Sequence, residues 1–539
     1  MGSEPGRCGR LRHGDDLAAA FAIGSSYEAT LDPLSRKRGA HYTPPDTALG
    51  LAARALNLAV GAEPRVVDPT CGGGAFLVAA AEHLARRGAD PERIVRELLI
   101  GVDIDPGAVA ASRRALRRWA EAWGVEGEPQ VFQADVAELG PQDLGPRGVQ
   151  VVLGNPPFGG QLAALTARDQ ERRDRWRRRF GPAAGRYVDE ALLVALVGRQ
   201  LLGPGGVLAM VLPCSALAST DGSAARRALL EGAAMTELWV DCDRVFSAQV
   251  DVCAPFIVVD GARGPVLRWS GRKVDVALGP TGPPEEENWA GLLVDADAPS
   301  LEGWRTHGAV GDRAEATAGF RDQYYGLCGH VRDERPDGQW GRLVTVGLID
   351  PGICHWGNRG ARFDAALWSH PHVDLDSLER ERPTVAAWYR ARQVPKVLVA
   401  TQSQVVEAAA DTVGDLLPLT PVISVEPLSE VEIHRIAAVL SSPVATRWAV
   451  DRASGRGLSQ RALRLTARDC QEMPWPADHA GLDRAAGLLQ DGDLVSYAHV
   501  VTEAYGLPSE PLVRWWLARL PRARRGDLGV GERSCHTVD

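Results

Sequence analysis

Arg65-Val66-Val67-Asp68-Pro69-Thr70-Cys71-Gly72-Gly73-Gly74-Ala75-Phe76-Leu77 is the stretch on which the fold turns. A short apolar run stops at an acid, passes through a glycine-rich turn and enters a helical pattern continued by Ala80 and Leu84. Glycines let the backbone approach a ligand closely, and the sharp turn aims a helix N-terminus at it. Upstream, Leu49, Ala52, Leu56 and Ala59 fall at helical spacing. Downstream, a strand is expected at Leu98 to Asp103, with a helix over Ala108 to Trp119. Gln150 to Gly154 reads as another strand, Glu190 to Leu202 as a helix and Val207 to Leu212 as a buried strand. Strands alternating with helices in this way predict an α/β fold around a parallel sheet.

The chain has 539 residues, 45% of them hydrophobic and 24% charged, enough for two or three domains with sizeable cores. No apolar run reaches the eighteen residues that suggest a membrane span, so no membrane association is expected. The stretch Leu17 to Gly24 is short and preceded by Asp15 and Asp16, unlike a signal peptide, which predicts a cytoplasmic protein. Nine scattered cysteines form no C-x-x-C pair, so neither a zinc site nor a disulfide framework is expected and the metal expectation is none. The net charge of −9 does not advertise nucleic-acid binding, but a large enzyme can confine basic surface to one cleft. There are three lysines against 57 arginines.

Two further acids follow Asp68 in order. Asp103 ends the second expected strand, where a carboxylate can accept hydrogen bonds from ribose hydroxyls, and Asp135 follows a short apolar stretch and could face an adenine amino group. A single aspartate in such a place reads as a helix cap or turn residue. Three at successive strand ends favour a ligand site.

Asn155-Pro156-Pro157-Phe158 comes directly after a hydrophobic strand. It resembles the catalytic motif Asp/Asn/Ser-Pro-Pro-Tyr/Phe of the amino-methyltransferase family of DNA methyltransferases. Gly39-Ala40-His41-Tyr42-Thr43-Pro44 resembles the family's N-terminal cofactor motif, and the glycine turn, Gly101 to Asp105 and Gln133 to Asp135 follow in the family's order. That order looks like the gamma group, whose members modify N6 of adenine. The resemblance covers residues 36 to 260 and implies a Rossmann-like class I methyltransferase domain that uses S-adenosylmethionine. By resemblance the cofactor residues would be Tyr42, Thr43, Asp68, Cys71, Gly72, Gly74, Asp103, Ile104, Asp135 and Asn155. The Asn155 side-chain oxygen and the Pro156 carbonyl would accept hydrogen bonds from the amino protons of the target. Pro157 would help fix the turn, and Phe158 would stack on the flipped base. Val245-Phe246-Ser247 resembles the region that gives the base pocket a second aromatic wall, with Phe246 as the candidate.

Arg168 to Arg186 holds eight arginines and three acids, with Trp176 and Phe180 between them. Arg172, Arg173, Arg177 and Arg178 are the candidates for DNA-backbone contacts, the alternative being an ion-paired solvated helix. Gly279 to Pro284, followed by Glu285 to Glu287, reads as a linker. The expected organisation is an N-terminal extension over 1–35, a methyltransferase domain over 36–280, a mixed α/β target-recognition region over 290–480 and a helical segment over 481–539. Gly319 to Tyr325, Pro395 to Val399 and Ser441-Ser442-Pro443 loosely resemble pieces of restriction-system recognition regions. Trp515 and Trp516, near the arginines at 519 to 525, belong to either a docking helix or a packing element.

The expected partners are double-stranded DNA and restriction or defence-system subunits. No lysine follows an acid at the Asp/Glu-x-Lys spacing of many nucleases, and the segment before Gly39 is short, so methylation without cleavage is expected. Competing readings are an RNA or protein-glutamine methyltransferase, a cytosine-N4 enzyme, which more often carries Ser at the place of Asn155, and an inactive DNA-binding subunit.

Overall fold

The computed structural model describes residues 6–30, 43–158, 167–185, 187–242, 251–295, 297–456 and 462–521. The chain divides into two compact units, one made of residues 1–296 with 458–460 and the other of 297–457 with 461–539.

The first unit is built on a ten-stranded sheet. Its strands are β1 (Val66–Asp68), β2 (Leu99–Asp103), β3 (Gln130–Gln133), β4 (Val149–Gly154), β5 (Leu202–Met210), β6 (Leu212–Pro213), β7 (Ala233–Val240), β8 (Val252–Val259), β9 (Val266–Ser270) and β10 (Val276–Thr281). The order is β10-β9-β7-β8-β5-β4-β1-β2-β3, with β6 pairing β8. The strands from β3 to β5 run parallel, and β8 inserts antiparallel between β5 and β7. Strands buried on both faces read as unbroken apolar runs, which is why Val149, Val151, Val152 and Leu153 of β4 are all sealed from solvent.

The helices are α1 (Gly6–Thr30), α2 (Pro45–Leu58), α3 (Ala75–Arg86), α4 (Pro106–Ala122), α5 (Ala167–Phe180), α6 (Glu190–Leu201) and α7 (Ser223–Leu230). Each strand and helix expected between residues 49 and 212 is present, with ends shifted by a few residues. The largest shift is in β5, which begins at Leu202 rather than Val207. β1 pairs with β2 on one side and with β4 on the other, so the chain reverses direction across the sheet there. In open α/β sheets the crevice at such a switch point, at the carboxyl ends of the strands, is where ligands bind.

The proline- and glycine-rich stretch does not separate the units. Gly279, Pro280 and Thr281 pair with β9, and the chain stays with the first unit to residue 296. Two buried arginines hold the intervening segment. Arg226 donates to the carbonyls of Ala216 and Ser219, at 2.7 Å each, and through Nε to that of Glu287 at 2.8 Å. Arg268 reaches the carbonyls of Leu292 and Val294.

The second unit is mixed α/β. One antiparallel sheet runs in the order Ala314–Ala318, Ile423–Pro427, Lys396–Ala400, Glu407–Asp411. Another runs Val331–Arg332, His372–Asp374, Trp340–Val344, Leu416–Pro418. Lys396 and Asp411 form a buried ion pair at 2.6 Å, and Asp411 also accepts the backbone N–H groups of Gly414 and Leu416. Ser442 caps the helix Pro443–Ala453 by accepting from Ala445 N at 2.9 Å, and Ser441 donates to the Ala408 carbonyl. The Ser-Ser-Pro element is thus a helix junction. In the helix Ser509–Leu517, Trp516 is fully buried, which makes it a packing residue. Among the described residues no helix is long and apolar enough to cross a membrane.

Candidate active site

The glycine turn is built by hydrogen bonds that only its sequence permits. Cys71 N donates to Val102 O at 2.9 Å, and Gly72 N donates to Asp103 Oδ2 at 2.9 Å, so the turn is tied to the end of β2. Gly72 and Gly74 hold φ of 49° and 85°, in the left-handed region that favours glycine. Gly74 caps α3 and lies so close to α4 that a Cβ there would stand 2.6 Å from Ser112 Oγ. The Cys71 side chain is buried, its sulfur near the backbone of Gly101, so its backbone rather than its thiol faces the turn's hydrogen bonds.

Three carboxylates gather at this turn. Asp68, only 2% exposed, accepts from Thr70 N at 3.1 Å. Burial, reinforced by the Asp103 charge and opposed by the Thr70 N–H, pushes its pKa up to about 8. Asp103 accepts from Asp105 N as well as Gly72 N, and burial raises its pKa too. The third is Glu28 of α1, raised to about 7 by burial and by Asp103, against the opposing hydrogen bond from the Gly73 backbone. Its neighbour Tyr27 donates to Asp105, and burial followed by that bond raises the phenol's pKa.

Sequence reasoning missed Tyr27 and Glu28, having placed α1 in an extension. The available signal was that Gly24, Tyr27 and Glu28 fall at i, i+3 and i+4, one helical face. Gly24 lets α1 lie directly on the turn, since a Cβ there would be 2.5 Å from Gly73 O.

β4 delivers the Asn-Pro-Pro-Phe turn beside Asp68, for a Cβ on Gly154 would stand 2.8 Å from Asp68 Oδ1. Asn155 Nδ2 donates to the buried Thr43 Oγ1 at 3.1 Å. That bond sets the amide's orientation and gives Oδ1 the acceptor role. Thr43, Asp68, Gly72, Gly74, Asp103 and Asn155 therefore meet at one edge of the sheet. Ile104 follows Asp103 with its side chain 58% exposed, an apolar face at the same edge. Phe158 is buried in the unit's core. Tyr42 and Phe246 lie outside the described residues, as do Gly39, Ala40 and His41.

Asp135 lies beyond β3, its Oδ1 accepting from Ala137 N at 2.9 Å and its Oδ2 paired with Arg175 Nη1 at 2.8 Å. The arginine-rich stretch is two-faced. Arg172, Arg175, Trp176 and Arg179, at spacings of three and four, turn toward the body of the unit. Arg172 pairs with Glu190 at 2.6 Å, and Arg179 donates to the carbonyls of Ala137 and Leu139 at 2.7 Å each. Of the four arginines expected on phosphates, Arg172 is thus engaged internally, Arg173 is half-buried, and Arg177 and Arg178 are exposed.

A cationic methyl donor fits these residues. Three buried or half-buried carboxylates adjoin a turn narrow enough to require glycine, and an exposed isoleucine follows Asp103.

Residues 19–259 match the N-6 DNA Methylase family. No curated protein matches the sequence. Among solved structures, the Type IIL restriction-modification enzyme MmeI in complex with DNA aligns at a TM-score of 0.61 and 13% identity. That alignment covers 95% of this chain and 79% of MmeI. The DrdV–DNA complex aligns at 0.51 and 13% identity, over 89% of this chain and 60% of DrdV. At such identities the likeness is one of fold. S-adenosylmethionine is the methyl donor that goes with the family, and the Rossmann-like sheet is its class I fold. The segment 19–259, built on this sheet, is thus similar to the N-6 DNA methylases.

Proposed function

We propose that this chain is a site-specific DNA methyltransferase acting on N6 of an adenine flipped out of duplex DNA. The observation that carries the reading is Asn155, oriented by Thr43 at the end of β4 and set beside the buried Asp68. Bound at the glycine turn, S-adenosylmethionine supplies an electrophilic methyl group. Thr43, Asp68, Gly72, Gly74, Asp103, Ile104 and Asp135 would hold it, with Tyr42 and the backbone of Cys71 completing the site.

The adenine amino nitrogen is a poor nucleophile because its lone pair is delocalised into the ring. Asn155 Oδ1 and the Pro156 carbonyl would accept hydrogen bonds from its two N–H groups and draw the nitrogen toward tetrahedral geometry. Pro156 and Pro157 stiffen the turn and remove competing N–H groups. Transfer would be a direct in-line displacement in which the N–CH3 bond forms as the S–CH3 bond breaks, the neutral thioether leaves and one amino proton passes to solvent; orientation of this kind is worth about 7–11 kcal/mol. Phe158 would form one wall of the base pocket and Phe246 the other. Exposed Arg177 and Arg178, with the half-buried Arg173, would neutralise phosphates, a role that the pairing of Arg172 with Glu190 takes from Arg172.

Double-stranded DNA is the proposed partner, alongside restriction or defence subunits, in the cytoplasm, and cleavage is assigned to none of the residues described. The test is transfer of labelled methyl from S-adenosylmethionine to unmethylated duplex DNA, with product nucleosides resolved by chromatography. N6-methyladenine should form with the wild type and fall by about 10²-fold or more in Asn155→Ala, as when one preorganised hydrogen bond is removed from a reacting centre. Methylation of RNA or of a protein glutamine in place of DNA would overturn the reading.

A further inference from the structure

The pairing of Arg175 with Asp135 has no place in the transfer chemistry, yet it sits where the cofactor's purine is expected. Asp135 can rotate about two bonds, and in solution its carboxylate would sample several rotamers. Here both oxygens are fixed, Oδ1 by Ala137 N and Oδ2 by Arg175. The guanidinium is shared with Glu138 at 3.4 Å. One turn further along the same face of α5, Arg179 holds the carbonyls of Val136, Ala137 and Leu139. The helix thereby clamps the whole turn from 135 to 139. Trp176, buried with its Nε1 donating to Glu190 at 3.0 Å, and Arg172, paired with the same Glu190, keep α5 from sliding or rolling. Glu190 opens α6, whose N-terminus is capped by Asp189, so the clamp is anchored on a core helix.

We propose that Arg175 is a positioning residue for cofactor recognition, holding the Asp135 carboxylate as an oriented acceptor for the purine's 6-amino group. This rests on the methyltransferase reading above. A carboxylate that keeps two fixed partners retains lone pairs in fixed directions, and an acceptor in a fixed direction rejects a ligand that offers it oxygen instead of N–H. Rejection of that kind is strong where a buried polar group would be left facing a like one. Without Arg175, Asp135 is held only by the Ala137 N–H, so its acceptor direction loosens and the preference for the amino ligand should shrink. A purely structural arginine would instead weaken both in proportion and leave their ratio untouched.

The experiment is calorimetric titration of the full chain with S-adenosylmethionine and with its analogue carrying a 6-oxo purine. The wild type should prefer the amino ligand by about tenfold or more, equivalent to about 1.4 kcal/mol. In Arg175→Met the preference should shrink to about threefold or less. Arg175→Lys, which keeps the charge but has a shorter reach and a single donor head, should fall between them. Should the Met variant lose its melting transition, the Lys variant decides alone, an intermediate ratio supporting the proposal and an unchanged one overturning it. An undiminished preference in Arg175→Met overturns the proposal whatever happens to absolute affinity. Equal binding of the two ligands by the wild type overturns it too, while leaving the cofactor assignment standing. Absence of S-adenosylmethionine binding by the wild type defeats the underlying methyltransferase reading itself.

Discussion

At the scale of the residue, Asp68 shows how a binding site taxes the fold that carries it. The carboxyl is sealed from water and faces the Asp103 charge, with one backbone N–H from Thr70 to offset them. Its pKa in the folded protein, about 8, lies far above the ordinary 3.8. The sign follows from linkage: the folded state binds the proton more tightly than the unfolded chain. Its contribution to stability is therefore complete below the ordinary value and is lost as pH rises through the raised one. Glu28, raised to about 7, acts in the same direction. The ligand-free protein should accordingly melt at a lower temperature at pH 9 than at pH 6. Asp68→Asn should flatten that slope and raise the melting temperature at pH 9, a gain of about 1 kcal/mol appearing as about 2–4 °C in a domain of some two hundred residues. The same substitution should weaken binding of the cationic cofactor. An unaltered slope in scanning calorimetry of the variant would mean that Asp68 is not the group responsible. The acids at 68 and 103 were legible as strand-end residues because strand ends can be read from apolar runs. Their burial was not legible, since it depends on what packs above them.

At the scale of the element, α1 carries more than its sequence suggests. As an isolated stretch it has weak amphipathic character, and Leu17 to Gly24 reads only as a short apolar run. In the fold it lies along α4, with Tyr27 on Asp105 and Arg118 of α4 on Asp16, and it covers the glycine turn at Gly24. Two backbones approach there, and neither Gly24 nor Gly73 has room for a side chain. Gly24→Ala would place a methyl group 2.5 Å from a carbonyl oxygen that cannot retreat without moving the turn. Overpacking of this kind costs about 1–3 kcal/mol. The expected outcome is a lower denaturant midpoint together with a weaker cofactor dissociation constant. Loss of stability with undiminished cofactor affinity would show that α1 does not govern the turn's shape. α5 makes the complementary point. Its composition reads equally as a phosphate-binding surface and as an ion-paired helix, and the structure turns one face inward and leaves the other, with Arg177 and Arg178, exposed. Helical periodicity could separate the faces, but only the neighbours Asp135, Glu138 and Glu190 identify which one turns inward.

At the scale of the whole molecule, the net charge of −9 sets a constraint on any duplex-binding surface. Long-range attraction cannot come from the total and must come from local cations that salt can compete with. Affinity for duplex DNA should therefore fall steeply as salt rises. Neutralising one phosphate-binding arginine by mutation should reduce the slope of log K against log salt by about 0.9. Arg177→Gln with Arg178→Gln should lower affinity for all sequences alike and reduce the slope by about 1.8 if both arginines touch phosphate. Fluorescence anisotropy over a salt series checks this, and an unchanged slope would remove both from the interface. The division into two compact units separates the segment that matches the N-6 DNA methylases from the mixed α/β region. The boundary at 296 was hidden from sequence because the proline-rich stretch looks like a linker. Arg226 and Arg268, well separated along the chain, bind the carbonyls that follow it and keep it in the first unit.

The sequence by itself determined the order of strands and helices between residues 49 and 212, the glycine turn, the acids at strand ends and the Asn-Pro-Pro-Phe turn. These are local properties, carried by apolar periodicity and by residues whose backbone preferences do not depend on distant partners. Tertiary structure alone decided that Thr43 orients Asn155, that Glu28 joins Asp68 and Asp103, that Arg175 holds Asp135, and that β8 enters the sheet antiparallel. Each of those depends on chain segments brought together from tens to more than a hundred residues apart. Burial and hydrogen-bond geometry select such pairings, and no local pattern encodes them.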